Sequence, residues 1–173
     1  MGTEATPLLE ELGHDYLPVD PRSVFGSAAI TLSPRPESVR QARDFTRRTL
    51  HSWRLAEHFD SVALVVSELV TNALRHGVGR PAADWPAGPR ALRGDSYLKL
   101  QLMCGPARLV CVVRDPSEAP PRPAEADSSA ESGRGLRLVE CFSDDWGWRR
   151  LRGRSRGKLV WASFLTEDRP ADD

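Results

Sequence analysis

Glu68-Leu-Val-Thr-Asn-Ala-Leu-Arg-His76 is the stretch from which the fold of this sequence can be worked out. It predicts a helix with one buried stripe, because apolar residues recur at helical spacing, at Val62, Val66, Leu69, Val70 and Ala73. Glu68 and Asn72 are four residues apart, so they share one face of this helix. A carboxylate can accept a proton from an attacking hydroxyl, and a carboxamide oxygen can bind a hard cation such as Mg²⁺. Alone, such a pair is more often a solvated Glu beside a surface Asn. Further motifs are therefore needed to show whether the pair belongs to a functional site.

The segments around this helix carry the patterns of further helices and strands. Asp60 is the predicted N-cap of the helix and Gly77 its predicted stop. The other predicted elements are a strand at 24–32, a helix at 37–53, strands at 97–104 and 109–113, a helix at 136–142, and a hairpin at 146–151 and 158–165. This order predicts an α+β sandwich in which the helices lie on one face of a mixed sheet.

Length and charge limit the domain organisation and the classes of partner. A chain of 173 residues has the length of one domain and is long enough to bury a hydrophobic core. We expect a flexible N-terminal arm at 1–22, a folded domain at 23–165 and an acidic tail at 166–173. Lys plus Arg and Asp plus Glu both number 24, so the formal net charge is zero. A direct nucleic-acid partner is therefore not expected, since it would normally require a basic excess.

The absence of targeting and metal-binding patterns indicates the cellular compartment and the state of the cysteines. The first residues have neither a basic region nor an apolar run, and no apolar run approaches membrane-spanning length. We therefore expect a cytoplasmic protein with no membrane attachment. Cys104, Cys111 and Cys141 have no metal-like spacing, and the first two fall in strand-like apolar runs. Free thiols, two of them buried, are the expectation.

Two further motifs lie downstream of the helix. Asp115 stands where an apolar strand stops, and a carboxylate there can accept a hydrogen bond from an exocyclic amine such as that of adenine. The simpler alternative is a turn residue before Pro116. The stretch Gly133-Arg134-Gly135-Leu136 opens a helix, where glycines and the helix N-terminus favour an anion. The simpler alternative is a loop-to-helix junction without a ligand. The glycine spacing fits neither a P-loop nor a Rossmann fingerprint.

Taken together and in this order, the three motifs resemble the N, G1 and G2 boxes of the GHKL ATPases, the gyrase, Hsp90, histidine-kinase and MutL superfamily. The stretches 67–76 and 133–139 are most similar to the anti-sigma-factor serine kinases, the SpoIIAB/RsbW-like group, of actinobacterial type. The resemblance covers roughly residues 29–165. It implies a two-layer α/β sandwich with a Bergerat-type ATP site.

The resemblance also implies a role for each motif residue. Glu68 would be the general base, Asn72 the Mg²⁺ ligand and Asp115 the residue that reads adenine. The phosphate end would be held by Gly133, Arg134, Gly135 and Leu136. His76 would lie near the nucleotide, although a helix-terminal His that complements the helix dipole explains it equally well.

One position departs from the family pattern. The second box is normally Asp-x-Gly, and here Ser117 replaces the glycine. We expect Ser117→Gly to tighten ATP binding modestly if the serine crowds the base or restricts the backbone. The segment 116–132, which has no core-forming residues, would be the lid over the phosphates.

The implied function is that of a serine/threonine-protein kinase that uses ATP and Mg²⁺. It would phosphorylate a STAS-type anti-sigma antagonist protein and sequester a sigma factor. An alternative from another class is a nucleotide-gated protein-binding module with little or no turnover, in which ATP orders the lid. A histidine-kinase fragment is disfavoured, because His51 and His58 lack an H-box-like context. Whether the chain forms a homodimer is left open.

Overall fold

The computed structural model describes residues 19–77, 97–121, 135–152 and 156–167. Within these ranges the helices are α1 (Glu37–Ser52), α2 (Phe59–Asn72) and α3 (Gly135–Phe142). The strands are β1 (Gly26–Leu32), β2 (Leu98–Cys104), β3 (Arg108–Asp115), β4 (Asp145–Arg150) and β5 (Lys158–Leu165). Every element predicted from the sequence is present, with its ends shifted by no more than a couple of residues.

The five strands form one sheet in the order β1-β2-β3-β5-β4, and each neighbouring pair is antiparallel. The α+β sandwich is confirmed, but the sheet formed by the described strands is not mixed as predicted. Of the described elements, two helices lie between β1 and β2, and these two strands are antiparallel. One described helix lies between β3 and β4, which are parallel to each other, but β5 lies between them in the sheet and is antiparallel to both.

The helices pack on one face of the sheet, as predicted. Their apolar stripes meet alternate residues of the central strands in one core, which includes Leu50, Val62, Val66, Leu100, Cys111, Val139 and Ala162. A smaller cluster lies on the opposite face, formed by Val19, Met103, Val110, Val112, Leu151 and Leu159. Val19 belongs to the segment that the sequence assigns to the N-terminal arm, yet it is buried in this cluster.

Both ends of α2 differ from the sequence prediction in detail. His58 occupies the N-cap position without a side-chain cap, and Asp60 lies in the first turn, where its charge complements the helix dipole. The prediction of Asp60 as N-cap is therefore wrong. At the other end, α-helical hydrogen bonding ends at Asn72, and a π-helical turn continues from Ala73–Gly77. Such turns occur frequently at functional sites.

The three cysteines are free, and Cys104 and Cys111 are buried, as predicted. Burial raises the pKa of the Cys111 thiol to about 12, so it stays protonated and packs as a small apolar side chain. Among the described residues, no helix has the length and apolar character needed to cross a membrane.

Candidate functional site

The first and third sequence motifs meet where α3 packs on α2. Glu68 and Asn72 are both half-buried on α2, and Gly135 is the first residue of α3. A Cβ atom added at Gly135 would lie 2.9 Å from Glu68 Oε2 and 3.4 Å from Asn72 Oδ1. Any side chain at this position would therefore press on the pair. The glycine allows the start of α3 to approach the carboxylate and the carboxamide closely.

This contact places three kinds of polar group side by side. Gly135 lies in the first turn of α3, where backbone N–H groups have no partner within the helix. The start of a helix also carries partial positive charge. The site thus combines one acidic oxygen, one amide oxygen and an electropositive helix start. Such an arrangement suits an anion with an associated cation.

The second motif forms a buried ion pair at the end of β3. Asp115 is the last residue of β3, and the sheet register places it opposite Lys158, the first residue of β5. Lys158 Nζ lies 3.0 Å from Asp115 Oδ1, and the two side chains are only 4% and 2% exposed. The backbone N–H of Ser117 donates to the same oxygen at 2.8 Å. The carboxylate is therefore held by two donors from different parts of the chain.

Burial and charge act on Asp115 in opposite directions. Desolvation raises the pKa of Asp115 above its usual value, and the ammonium of Lys158 opposes this most strongly. The N–H of Ser117 and the charge of His76 also favour the ionised form. His76 is exposed in the π-helical turn after α2. The turn that carries His76 contacts β3. That His76 lies near the nucleotide stays a prediction.

Gly157, just before β5, fixes the position of Lys158. Its φ is +108°, a backbone conformation that side chains disfavour. A Cβ atom there would lie 2.1 Å from the carbonyl oxygen of Asp115. Only glycine allows the chain to pass this close to the end of β3.

The segment that follows Asp115 is tied to β4 and β5. Lys158 Nζ lies 3.5 Å from the carbonyl oxygen of Ser117, and Arg150 Nε donates to the carbonyl oxygen of Glu118 at 3.2 Å. The hydroxyl of Ser117 accepts from the N–H of Ala119. The first residues of the predicted lid thus have a defined attachment. Residues 122–134 lie outside the described part of the chain, so the lid stays a prediction.

The described residues of the predicted site lie in two groups. Glu68, Asn72 and Gly135 form one group, and Asp115, Ser117 and His76 form another. Leu136 is buried and follows Gly135 into the packed side of α3. Gly133 and Arg134 lie outside the described residues, and their predicted phosphate contacts remain predictions.

Lys158 is the site residue that the sequence interpretation missed. One signal was present: of 24 Lys and Arg residues, only Lys99 and Lys158 are lysines. A lysine next to Gly157 at the start of an apolar strand was therefore unusual for this chain. Its partner was not deducible, because the pairing with Asp115 depends on how β5 lies against β3.

A family model described as a histidine kinase-like ATPase domain matches residues 32–164. The chain belongs to the histidine kinase-like ATPase family. The GHKL resemblance is thereby confirmed, and the match spans the sheet and the helices described above. No curated protein matches the chain significantly. The domain is an ATP-binding module of the ATPase or kinase-like type, and members of this class typically bind ATP with Mg²⁺.

The residues present fit a Mg²⁺–nucleotide complex. Within the described ranges, no group of three or more His, Cys, Asp and Glu side chains could hold a metal ion by itself. Mg²⁺ does not require such a cage, since it is commonly held by one or two protein oxygens together with substrate phosphates. The amide oxygen of Asn72, beside Gly135, would supply a protein ligand, and the start of α3 would face the phosphates.

Proposed function

We propose that the protein is an ATP-dependent serine/threonine-protein kinase of the anti-sigma-factor type. It phosphorylates a serine of a STAS-type antagonist protein and, when the antagonist is phosphorylated, sequesters a sigma factor. The contact between Gly135 and the Glu68–Asn72 pair carries this proposal. This contact supports the proposal because a hydroxyl that approached Glu68 would be deprotonated next to a phosphate bound at the start of α3.

The chemistry asked of these residues is modest. Phosphoryl transfer depends mainly on positioning and on neutralising charge. Glu68 accepts the proton of the attacking serine hydroxyl. Mg²⁺, when bound, neutralises phosphate charge, and Asn72 holds it in place. The backbone at the start of α3 orients the phosphates, and Asp115 holds the adenine end of the nucleotide.

Transfer of labelled phosphate from ATP to a purified antagonist tests the proposal. We expect phosphoserine on the antagonist in the presence of Mg²⁺ and none with excess chelator. Glu68→Gln should abolish most of the transfer, because the amide cannot act as a base. Asp60→Asn is a matched control, since Asp60 is an exposed acid in the first turn of the same helix. Equal transfer by the wild type and Glu68→Gln would contradict the assigned role.

A second candidate is a nucleotide-gated binding module with little turnover. The ties from Lys158 and Arg150 to residues 117 and 118 favour it, because they link the adenine end of the site to the segment that would contact a partner. In that case ATP would be required for capture of a sigma factor, and Glu68→Gln would capture as well as the wild type. ATP-dependent capture of a sigma factor without formation of phosphoserine would favour this candidate over the kinase.

A further inference from the structure

Lys158 has a role in the site that neither the family match nor the sequence motifs assign. It is 3% exposed, and buried lysines are rare unless they are paired. In a chain whose other basic residues are almost all arginines, a lysine occupies this position. A lysine ammonium is a compact point charge, whereas a guanidinium is a planar fork. The buried space next to the Asp115 carboxylate therefore holds an ammonium group, the more compact of these two cationic groups.

The hydrogen bonds of Asp115 are distributed unevenly between its two oxygens. Both contacts from described residues end on Oδ1, one from Lys158 Nζ and one from the N–H of Ser117. Oδ2 receives neither of them. Among the contacts between described residues, Oδ1 therefore has two donors and Oδ2 has none.

We propose that Lys158 is a positioning residue that decides which nucleobase the site accepts: it holds Asp115 as a charged acceptor, with Oδ1 occupied and Oδ2 left for the exocyclic amine of adenine. The inference rests on the proposed function only in that a nucleotide binds at Asp115. It does not require phosphoryl transfer.

The charge on Asp115 is what separates adenine from guanine. An ionised carboxylate can only accept hydrogen bonds, so it attracts the amine of adenine and repels the carbonyl oxygen that guanine has in its place. A protonated carboxyl group carries an O–H donor and can bind that carbonyl oxygen. Loss of the charge therefore reduces the preference for ATP over GTP more than it reduces nucleotide binding as such.

The titratable groups around Asp115 set the pH range of this effect. Lys158 faces it from β5 and His76 from the turn after α2, and both favour the ionised form. In the sheet register, Lys99 on β2 lies opposite Arg114 on β3. Because side chains alternate along a strand, the side chain of Arg114 lies on the opposite face of the sheet from that of Asp115. On α2, Glu68 lies at Gly135. Burial already raises the pKa of Asp115, and removal of Lys158 would raise it further.

Binding of ATP and of GTP, measured by calorimetry from pH 6 to pH 9, tests the proposal with Lys158→Met. The ratio of the two affinities is the readout, because both nucleotides have the same phosphates and their titration cancels. For the wild type we expect a constant ratio between pH 7 and pH 9. For Lys158→Met the ratio should fall by about ten-fold at pH 7, the loss of one charged hydrogen bond, and recover as the pH rises. Lys99→Met is the matched control and should behave as the wild type.

Three outcomes would overturn the proposal. A ratio that is the same in Lys158→Met and the wild type at every pH would leave Lys158 a structural role only. Tighter ATP binding by Lys158→Met would show that the lysine competes with adenine for Asp115. A pH dependence that disappears when His76→Gln is added would assign the titration to His76.

A measurement on the wild type covers the case in which Lys158→Met does not fold. With only two lysines, ¹³C-lysine labelling gives two side-chain Cε signals, which Lys99→Met assigns. The Lys158 signal should shift on saturation with ATP. An unchanged signal with ATP bound would contradict the proposal. ATP binding without any transfer to an antagonist would reject the kinase while leaving this inference intact.

Discussion

Glu68 and Asp115 are the two carboxylates of the proposed site, and their surroundings differ. Asp115 is buried and is held on one oxygen by a lysine and a backbone N–H. Glu68 is half-buried on the side of a helix, and its Oε2 faces the space that the missing side chain of Gly135 leaves. The first carboxylate is held by two donors in a buried pair, whereas the second is the end of a flexible side chain that lies against a glycine.

This difference matches two tasks. Recognition of a base requires an acceptor whose position and charge do not change, and the buried pair provides both. Acceptance of a proton requires a group that can approach a hydroxyl and change its charge, which burial in an ion pair would hinder. Substitutions at or beside each carboxylate should therefore separate binding from chemistry.

Substitution of Glu68 should have the largest effect, and it should fall on chemistry. With Glu68→Gln, phosphoryl transfer should decrease on the order of a hundred-fold or more, because a positioned base is lost. ATP affinity should change little, since a base acts mainly in the transition state. Single-turnover transfer and calorimetry measure the two quantities. A parallel loss of affinity would mean that Glu68 holds the nucleotide instead.

Substitution of Asp115 should weaken binding. Asp115→Ala removes a charged acceptor, so ATP affinity should fall by about ten- to a hundred-fold. It also leaves Lys158 buried without its partner, which should lower the free energy of unfolding by roughly 3–5 kcal/mol. Calorimetry and urea unfolding measure the two effects. Asp44→Ala, an exposed acid on α1, is the control, and unchanged ATP affinity in Asp115→Ala would remove the adenine from this position.

A methyl group at Gly135 should displace the Glu68 carboxylate without damaging the fold. The nearest atom to an added Cβ is the end of the flexible Glu68 side chain, which can move aside. Gly135→Ala should therefore melt close to the wild-type temperature, while phosphoryl transfer falls roughly ten-fold because the base is displaced. In the control Gly105→Ala, the added Cβ meets its neighbours at 3.6 Å or more. Full activity of Gly135→Ala would separate this contact from catalysis.

Substitution of Asn72 should have a smaller effect that depends on the cation. Asn72→Ala removes an amide oxygen beside the start of α3, so ATP binding should weaken in Mg²⁺ and change little in excess chelator. Titrations under both conditions make the comparison. An equal loss with and without Mg²⁺ would give Asn72 a packing role.

The smallest effect is expected at Ser117, and here the structure changes the expectation drawn from the family pattern. Among the described residues other than glycine, only Arg54 has a positive φ, so Ser117 does not need a glycine conformation. Its hydroxyl also accepts from the N–H of Ala119. Ser117→Gly should therefore leave ATP affinity within about two-fold, and should lower the free energy of unfolding slightly because glycine increases the entropy of the unfolded chain. A clear gain in affinity by calorimetry would show that the serine crowds the base.

The parts of the molecule that the sequence predicted well are those governed by local patterns. Periodicity placed each strand and helix, and the spacing of Glu68 and Asn72 placed them on one helix face. The family resemblance assigned Gly135 to the phosphate end of the site, but its contact with that pair is seen only in the structure. These features depend on short stretches or on a motif order that many chains share.

The parts that the sequence did not predict depend on how distant segments meet. Lys158 pairs with Asp115 only because β5 lies between β3 and β4, and no local pattern encodes that order. The antiparallel sheet was missed for the same reason. The N-cap of α2 was assigned to Asp60 from residue preference, whereas the 3₁₀ turn Ala56–His58 sets the actual start.

The position of β5 also has a consequence for the order in which the protein is built. It is the last of the described strands to leave the ribosome, yet it must enter between two strands that have already emerged. Until then β3 lacks a neighbour on one side and Asp115 lacks its lysine. A nascent chain halted before residue 158 would lack both the strand that pairs with this edge of β3 and the lysine that pairs with Asp115. With the nucleotide bound at Asp115 as proposed, ATP would stabilise the newly synthesised protein only after β5 is inserted.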